Sequence, residues 1–250
     1  MNDKKLTESS PTIIESKKSF KSLLIRKLKI MKNDPKMSLA YLILGPSRFK
    51  TFNHKHSCLY YDLSETELEK LMIQPSSIHE HLNTLYMLTV EFNLKNILEL
   101  GTQFGNSTIA LLYAAKEING KVTTIDVDPC ISARKKVHDL ELDSFCNFIQ
   151  YDDTLIEWSE PIDHLFIDSN HSYQHVTKQL KKYEPFLRKG GLITLHDIVM
   201  HEFDPNGIPT KKISTTNSVM KAILDFINNR DDLKFYKYLN CNGLGIIRKH

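Results

Sequence analysis

The pattern of apolar and polar positions changes near Asn96. Before Asn96, apolar residues recur mainly at helical spacing, which predicts helices over 17–32, Ser64–Met72 and Ser77–Phe92. After it, short apolar runs alternate with amphipathic segments of helical period. This alternation is typical of βαβ units, in which helices cover both faces of a parallel sheet.

The strands and helices can be placed individually. Five apolar runs predict parallel strands at Asn96–Leu100, Lys121–Asp126, Cys146–Gln150, His164–Asp168 and Leu192–His196. Helices are predicted between them at Ser107–Ile118, Ile131–Leu140 and Tyr173–Leu187. A polar loop (Met200–Thr216), a helix (Val219–Asn228) and two strands (Leu233–Leu239 and Gly243–Arg248) follow. The three-residue joint between these strands predicts a hairpin. The predicted fold class is therefore α/β, a Rossmann-like, seven-stranded and mainly parallel sheet with a reversed last strand.

Charge separates the N-terminus from the rest of the chain. Residues 1–36 hold ten Lys/Arg and four Asp/Glu, whereas the remaining residues hold 23 Lys/Arg and 26 Asp/Glu. We interpret 1–36 as a basic tail with an amphipathic helix, 37–75 as an N-terminal cap or lid, and 76–250 as the main domain. The helix over 17–32 either contacts an anionic membrane or partner, or docks on its own domain. Ser64 is expected to cap the next helix, with Glu67 completing a capping box.

Composition excludes several classes of protein. The mildly acidic main domain argues against a dedicated nucleic-acid surface. The four cysteines form no CxxC pair, no apolar run has the ~20 residues that a membrane span needs, and the N-terminus lacks a signal-peptide core. We therefore expect a soluble, cytoplasmic protein without a membrane span. A homo-oligomer is possible.

The segment Ile97–Ser107 runs from the first strand into a helix and resembles a ligand-binding turn. Gly101 and Gly105 permit close approach of a ligand to the backbone, and the start of the helix offers free N–H groups to a carboxylate. Glu99, just before the turn, would repel a pyrophosphate but could hold an ammonium group. An acid beside N–H groups suits the methionine end of S-adenosylmethionine, with Thr102 and Ser107 adding hydroxyls.

Acidic residues also end the next two predicted strands. Asp126 is placed to accept hydrogen bonds from both ribose hydroxyls of a nucleoside. Asp128 is its competitor, but Pro129 favours placing Asp128 in the turn. Asp152 follows the third strand and could receive an adenine amino group.

These motifs resemble those of class I S-adenosylmethionine-dependent methyltransferases, specifically the small-molecule O-methyltransferases of the catechol and macrolide-sugar types. The similarity covers roughly 77–250 and rests on the segments ILELGTQFGNSTIAL, TTIDVDP, FIDSNHSYQHVTKQLKKYEPFLRKGGLITLHDI and GLGIIRK. The resemblance implies cofactor contacts from Glu99, Gly101, Thr102, Gly105, Ser107, Asp126 and Asp152.

A second group of polar residues follows the fourth and fifth strands. In metal-dependent sugar O-methyltransferases, the corresponding positions bind magnesium through acids, and a histidine three residues after the first acid is the proposed base. The resemblance therefore implies a divalent ion held by Asp168 and Asp197, with His171 as catalytic base beside Asp168. His196 stands where the family has an acid, so it is a possible third ligand that favours a softer ion. His171 could also act without a metal.

The sequence leaves more than one function open. The favoured function is methyl transfer from S-adenosylmethionine to a hydroxyl of a small molecule, such as a sugar. A cephalosporin hydroxylase-like or N-methylating enzyme on the same scaffold is an alternative, as is a non-catalytic cofactor-binding protein. His79 and His81, which precede the glycine loop, are expected on the surface of their helix.

Overall fold

The computed structural model of the protein describes residues 66–203, 209–214 and 218–250. The basic tail, the predicted helix over 17–32 and most of the 37–75 segment lie outside these residues. The described part has a central seven-stranded sheet and a separate two-stranded one. Among its helices, none is long and apolar enough to cross a membrane.

The elements follow the order of the sequence prediction. The strands are β1 (Asn96–Leu100), β2 (Lys121–Asp126), β3 (Cys146–Gln150), β4 (Ile162–Ile167), β5 (Leu187–His196), β6 (Met200–Phe203), β7 (Pro209–Ser214), β8 (Leu233–Tyr238) and β9 (Leu244–Lys249). The α-helices are α1 (Glu67–Ile73), α2 (His79–Glu91), α3 (Asn106–Ile118), α4 (Ile131–Asp139), α5 (Tyr173–Tyr183) and α6 (Ser218–Ile227).

The large sheet has the order β3-β2-β1-β4-β5-β9-β8. β1 to β5 run parallel, whereas β9 pairs antiparallel with both β5 and β8. The reversed last strand and the hairpin are therefore confirmed. The order reverses at β1, where the neighbouring connections leave on opposite sides, and such a switch point opens a crevice at the carboxyl ends of the strands.

The two faces of the large sheet have separate apolar layers. Buried residues of α5 and α6 pack on one face, and those of α1 to α4 pack on the other. All six residues of β4 are buried, so this strand is a continuous apolar run except for Asp163 and His164. Central parallel strands are covered on both sides, which explains why their sequences do not alternate.

Several predicted boundaries were wrong, and two of the differences have a clear physical reason. α1 is capped by Thr66, whose side chain accepts from the N–H of Glu69, because the capping-box pattern occurs twice in this stretch. Pro185 ends α5, and a 3₁₀ turn leads directly into β5, which begins five residues before its predicted start. β4 begins two residues early, at Ile162. The expected loop over Met200–Thr216 instead contains the antiparallel pair β6 and β7.

Candidate active site

A cavity of about 790 Å³ opens at the carboxyl ends of β1, β2 and β4. Its volume lies within the ~300–1,000 Å³ that is usual for small-molecule sites. The wall is formed by residues 76–78, 101–107, 125–128, 152–153, 168–171, 175 and 197. Except for Glu99 and His196, every residue that the sequence singled out for cofactor, metal or catalysis lines this cavity.

Both glycines of the loop line the cavity and also lie against other parts of the protein. Gly101 has φ +96°, and a Cβ there would lie 2.3 Å from the carbonyl oxygen of Asp168. Gly105 has φ +79°, and a Cβ there would lie 2.8 Å from Cβ of Ala133. A side chain at residue 101 would therefore collide with the backbone after β4 before it reached a ligand.

Asp126 ties the glycine loop to the end of β2. Its Oδ2 accepts from the N–H groups of Thr102 at 2.8 Å and Gln103 at 3.0 Å, and Oδ1 accepts from the N–H of Asp128 at 2.9 Å. Partial burial would raise the pKa of Asp126, but these N–H donors hold it below its usual value. The carboxylate therefore stays charged on the cavity wall, and Asp128 lies in the turn, as expected.

Glu99 does not reach the cavity. Its side chain is completely buried, and Oε2 accepts from the hydroxyl of Thr108 at 2.6 Å. Burial raises the pKa of Glu99 to about 7. The interpretation of Glu99 as a direct ammonium contact is therefore corrected: this carboxyl group braces the start of α3 from behind the loop.

The acids after β3 have different environments. Asp152 lies on the cavity wall, where its Oδ1 accepts from both N–H and Oγ1 of Thr154 at 2.8 Å. Asp153, which the sequence analysis did not single out, is buried, and its Oδ1 lies 2.9 Å from Nε2 of His175. Nothing in the sequence pairs a residue after β3 with one in α5, so this contact could not have been predicted.

Asp168, His171 and Asp197 converge at the ends of β4 and β5. Nε2 of His171 lies 3.3 Å from Oδ1 of Asp168 and 3.3 Å from Oδ2 of Asp197. One donor atom from each of the three residues lies within 4.8 Å of the other two. The hydrogen bond to Asp168 raises the pKa of His171. Asp197 adopts φ +55°, a conformation that Asp tolerates better than most residues.

His196 is the buried neighbour of this group. Its side chain is 1% exposed, Nε2 lies 3.0 Å from the carbonyl oxygen of Cys241, and Nδ1 lies 3.3 Å from Oδ1 of Asp168. Burial would lower the pKa of His196, but the negative charges of Asp168 and Asp197 raise it to about 9. Nδ1 of His196 also lies 3.6 Å from Oδ1 of Asp197, so His196 contacts both acids of the expected metal set, and its role as a metal ligand stays a prediction.

The two histidines of α2 are buried, contrary to expectation. Nε2 of His81 lies 2.8 Å from the carbonyl oxygen of Asn240, and its ring centroid lies 5.8 Å from that of His196. Nδ1 of His79 lies 2.7 Å from the carbonyl oxygen of Ser76. These histidines face the β8–β9 turn, which only the tertiary fold brings to α2.

The charge of the cavity wall is strongly negative. Six carboxylates line it, from Asp126, Asp128, Asp152, Asp153, Asp168 and Asp197. The described part of the chain contributes no lysine or arginine to this wall. Such a wall favours cationic ligands and repels phosphates.

The sequence of residues 98–198 matches the model of the methyltransferase domain family. Over these residues the chain is similar to methyltransferase domains. The matched residues run from within β1 to just after β5, and this part of the fold forms most of the cavity wall. A search of curated proteins finds no match.

Solved structures of several methyltransferases share this fold. A protein from Staphylococcus aureus, provisionally assigned as a caffeoyl-CoA O-methyltransferase, superposes with a TM-score of 0.61 at 19% identity, covering 80% of this chain and 100% of its own. An O-methyltransferase from Bacillus cereus in complex with SAH gives a TM-score of 0.53 at 17% identity, with coverage of 85% and 96%. A methyltransferase from Podospora anserina, also SAH-bound, gives 0.53 at 14% identity, with coverage of 98% and 100%.

Proposed function

We propose that this methyltransferase transfers the methyl group of S-adenosylmethionine to a hydroxyl group of a small molecule. The single observation that carries the proposal is the convergence of Asp168, His171 and Asp197 on the wall of the cavity that the glycine loop also lines. A protein that only binds the cofactor has no use for a histidine oriented by two carboxylates. The acidic wall argues against an anionic acceptor, and a sugar is one hydroxyl-bearing acceptor that carries no negative charge.

The residues present suit S-adenosylmethionine. The ligand carries a sulfonium and an ammonium, and the wall carries six carboxylates. Asp126 lies at the end of β2, where it can receive the ribose hydroxyls, and the first N–H groups of α3 face the same cavity through Asn106 and Ser107. When bound, S-adenosylmethionine supplies an electrophilic methyl group.

His171 is the proposed general base. A carboxylate can only accept, so a neutral His171 places the proton on Nε2, which faces Asp168 and Asp197, and leaves a lone pair on Nδ1. In the reaction a C–O bond forms at the acceptor, the C–S bond of the sulfonium breaks, and the hydroxyl proton passes to Nδ1. Asp168 and Asp197 stabilise the imidazolium that results.

A divalent ion is the alternative way to activate the acceptor. The two carboxylates and the imidazole of Asp168, His171 and Asp197 form a donor set that fits such an ion. Their separations of 3.3 Å exceed the ~2.7–2.9 Å of charge-assisted hydrogen bonds. A bound ion would orient the acceptor and lower the pKa of its hydroxyl. Both assignments use the same residues, so the experiment must separate them.

The test is methyl transfer from labelled S-adenosylmethionine to a panel of sugars, phenols and amines, with product analysis. We expect methylation of a hydroxyl, full activity in chelator, and at least a 100-fold loss of kcat in His171→Ala. His138→Ala is the matched control, because His138 is an exposed histidine outside the cavity.

Two results would contradict the proposal in different ways. Activity that disappears in chelator and returns with manganese, magnesium or zinc would replace the base with a metal ion. Binding of S-adenosylmethionine without turnover on any acceptor class would favour a non-catalytic protein.

A further inference from the structure

The cavity contains a second histidine–carboxylate pair that the proposed chemistry does not use. Asp153 and His175 both line it, with Oδ1 of Asp153 2.9 Å from Nε2 of His175. Asp153 is 6% exposed, whereas the His175 side chain is 23% exposed. The carboxylate is therefore the inner member of the pair, and the imidazole is the member that a ligand can reach.

Asp153 is held rigidly and its acceptor positions are in use. Its Oδ2 accepts from Nε2 of Gln179 at 2.9 Å, and its carbonyl oxygen accepts from the hydroxyl of Tyr183. Gln179 also donates to Oγ of Ser169 at 2.7 Å, which connects the pair to the loop after β4. A buried carboxylate with these partners orients a neighbouring side chain better than it binds a ligand itself.

The hydrogen bond to Asp153 determines which nitrogen of His175 can accept a hydrogen bond from a ligand. A carboxylate only accepts, so Nε2 of His175 carries the proton that faces Asp153. In the neutral imidazole, Nδ1 is then an acceptor with a lone pair. No described residue donates to Nδ1. The ring therefore presents an unused acceptor at the cavity, and its tautomer is fixed by Asp153.

The position of the pair indicates which part of a ligand it meets. β3 lies beside β2, and the N–H of Tyr151 donates to the carbonyl oxygen of Asp126 at 2.9 Å. The residues that follow β3 therefore lie next to the proposed ribose contact, where the base of a nucleoside ligand would extend. Asp152 was the residue expected to accept from the adenine amino group. Its Oδ1 already accepts two hydrogen bonds from Thr154.

We propose that His175, held by Asp153, recognises the exocyclic amino group of the nucleobase and so selects an adenine-bearing cofactor over its 6-oxo counterpart. The inference rests on the proposed function, since S-adenosylmethionine is the source of the base. An amino group donates to Nδ1, whereas the 6-oxo group presents a second acceptor to it. A site with a fixed acceptor loses affinity for a ligand that lacks the donor.

The experiment measures by calorimetry the Kd of S-adenosylhomocysteine and of S-inosylhomocysteine. We expect the wild-type protein to prefer the adenine ligand by at least tenfold, and His175→Ala to reduce this preference to less than threefold. His175→Gln should restore part of it, because the glutamine amide can donate to Asp153 and still present an acceptor. His138→Ala, a change of an exposed histidine outside the cavity, should keep the wild-type preference.

The outcomes distinguish this inference from the proposed function. An unchanged preference in His175→Ala, with both ligands bound and the melting temperature near that of the wild type, would overturn the role of His175 alone. A wild-type preference for the 6-oxo ligand would also overturn it, since Nδ1 would then be a donor. Failure of the wild-type protein to bind either ligand would overturn the proposed function, and this inference with it.

Discussion

Gly101 packs against the carbonyl oxygen of Asp168, at a point where a Cβ on residue 101 would lie only 2.3 Å from that oxygen. The N–H of Asp168 also donates to the carbonyl oxygen of Leu100 at 2.9 Å. The turn that would hold the cofactor and the residue proposed to orient the base are therefore joined directly through the backbone. A change in one loop must move the other.

Gly101→Ala should consequently damage both stability and cofactor binding. The left-handed conformation costs alanine about 1–2 kcal/mol, and the collision with Asp168 adds roughly 1–3 kcal/mol. Gly190→Ala is the matched control, because Gly190 has φ +83° but no atom within 4 Å of the added Cβ. Denaturant unfolding should show the smaller loss for Gly190→Ala, and calorimetry should show unchanged S-adenosylhomocysteine binding for that variant. Equal losses in the two variants would mean that the Asp168 contact is unimportant.

Removing the charge of Glu99 and removing the charge of Asp126 should have different effects on cofactor affinity. Glu99→Gln keeps an acceptor for Thr108 and leaves the cavity wall unchanged, so we expect the Kd for S-adenosylhomocysteine to change less than threefold. Asp126→Asn places an amide group against the N–H donors of the glycine loop, which costs about 1–3 kcal/mol, or roughly 5- to 150-fold in affinity. A larger loss in Glu99→Gln than in Asp126→Asn would restore Glu99 as a direct cofactor contact.

His164, in the centre of β4, should make the fold less stable in acid. Its Nδ1 lies 2.9 Å from Oγ1 of Thr89 and its Nε2 lies 2.9 Å from Oγ1 of Thr194. The hydroxyl of Thr89 already donates to the carbonyl of Leu85, so Nδ1 must donate and the ring is neutral with Nε2 as acceptor. Burial lowers the pKa of His164 to about 3.

The sign of this pH dependence follows from proton uptake. The unfolded imidazole binds a proton near pH 6.5, whereas the folded one does so only near pH 3, so the free energy of unfolding should fall between these values. The loss is about 1.4 kcal/mol for each pH unit. Denaturant titrations from pH 7 to pH 5 of the wild type and of His164→Gln, which cannot titrate, isolate this contribution as the difference between their slopes. Parallel slopes would show that His164 is not protonated on unfolding in this range.

The sequence alone determined the order of the elements and the edge of the sheet where the site lies. β1, β2 and β3 were predicted to the residue. Asp126, Asp168, His171 and Asp197, which the motifs singled out, all line the cavity, and their roles stay predictions. Local pattern carries this information, since strand ends in a parallel sheet share one edge.

Only the tertiary structure decided how the polar side chains are partnered. Glu99 looked like a ligand contact in sequence, yet its side chain is buried against Thr108 behind the loop. His196 is bound by the carbonyl of Cys241, 45 residues away, and His175 by Asp153, 22 residues away on another element. A hydrogen bond depends on the distance and direction between atoms that the fold brings together, and spacing along the chain does not encode either.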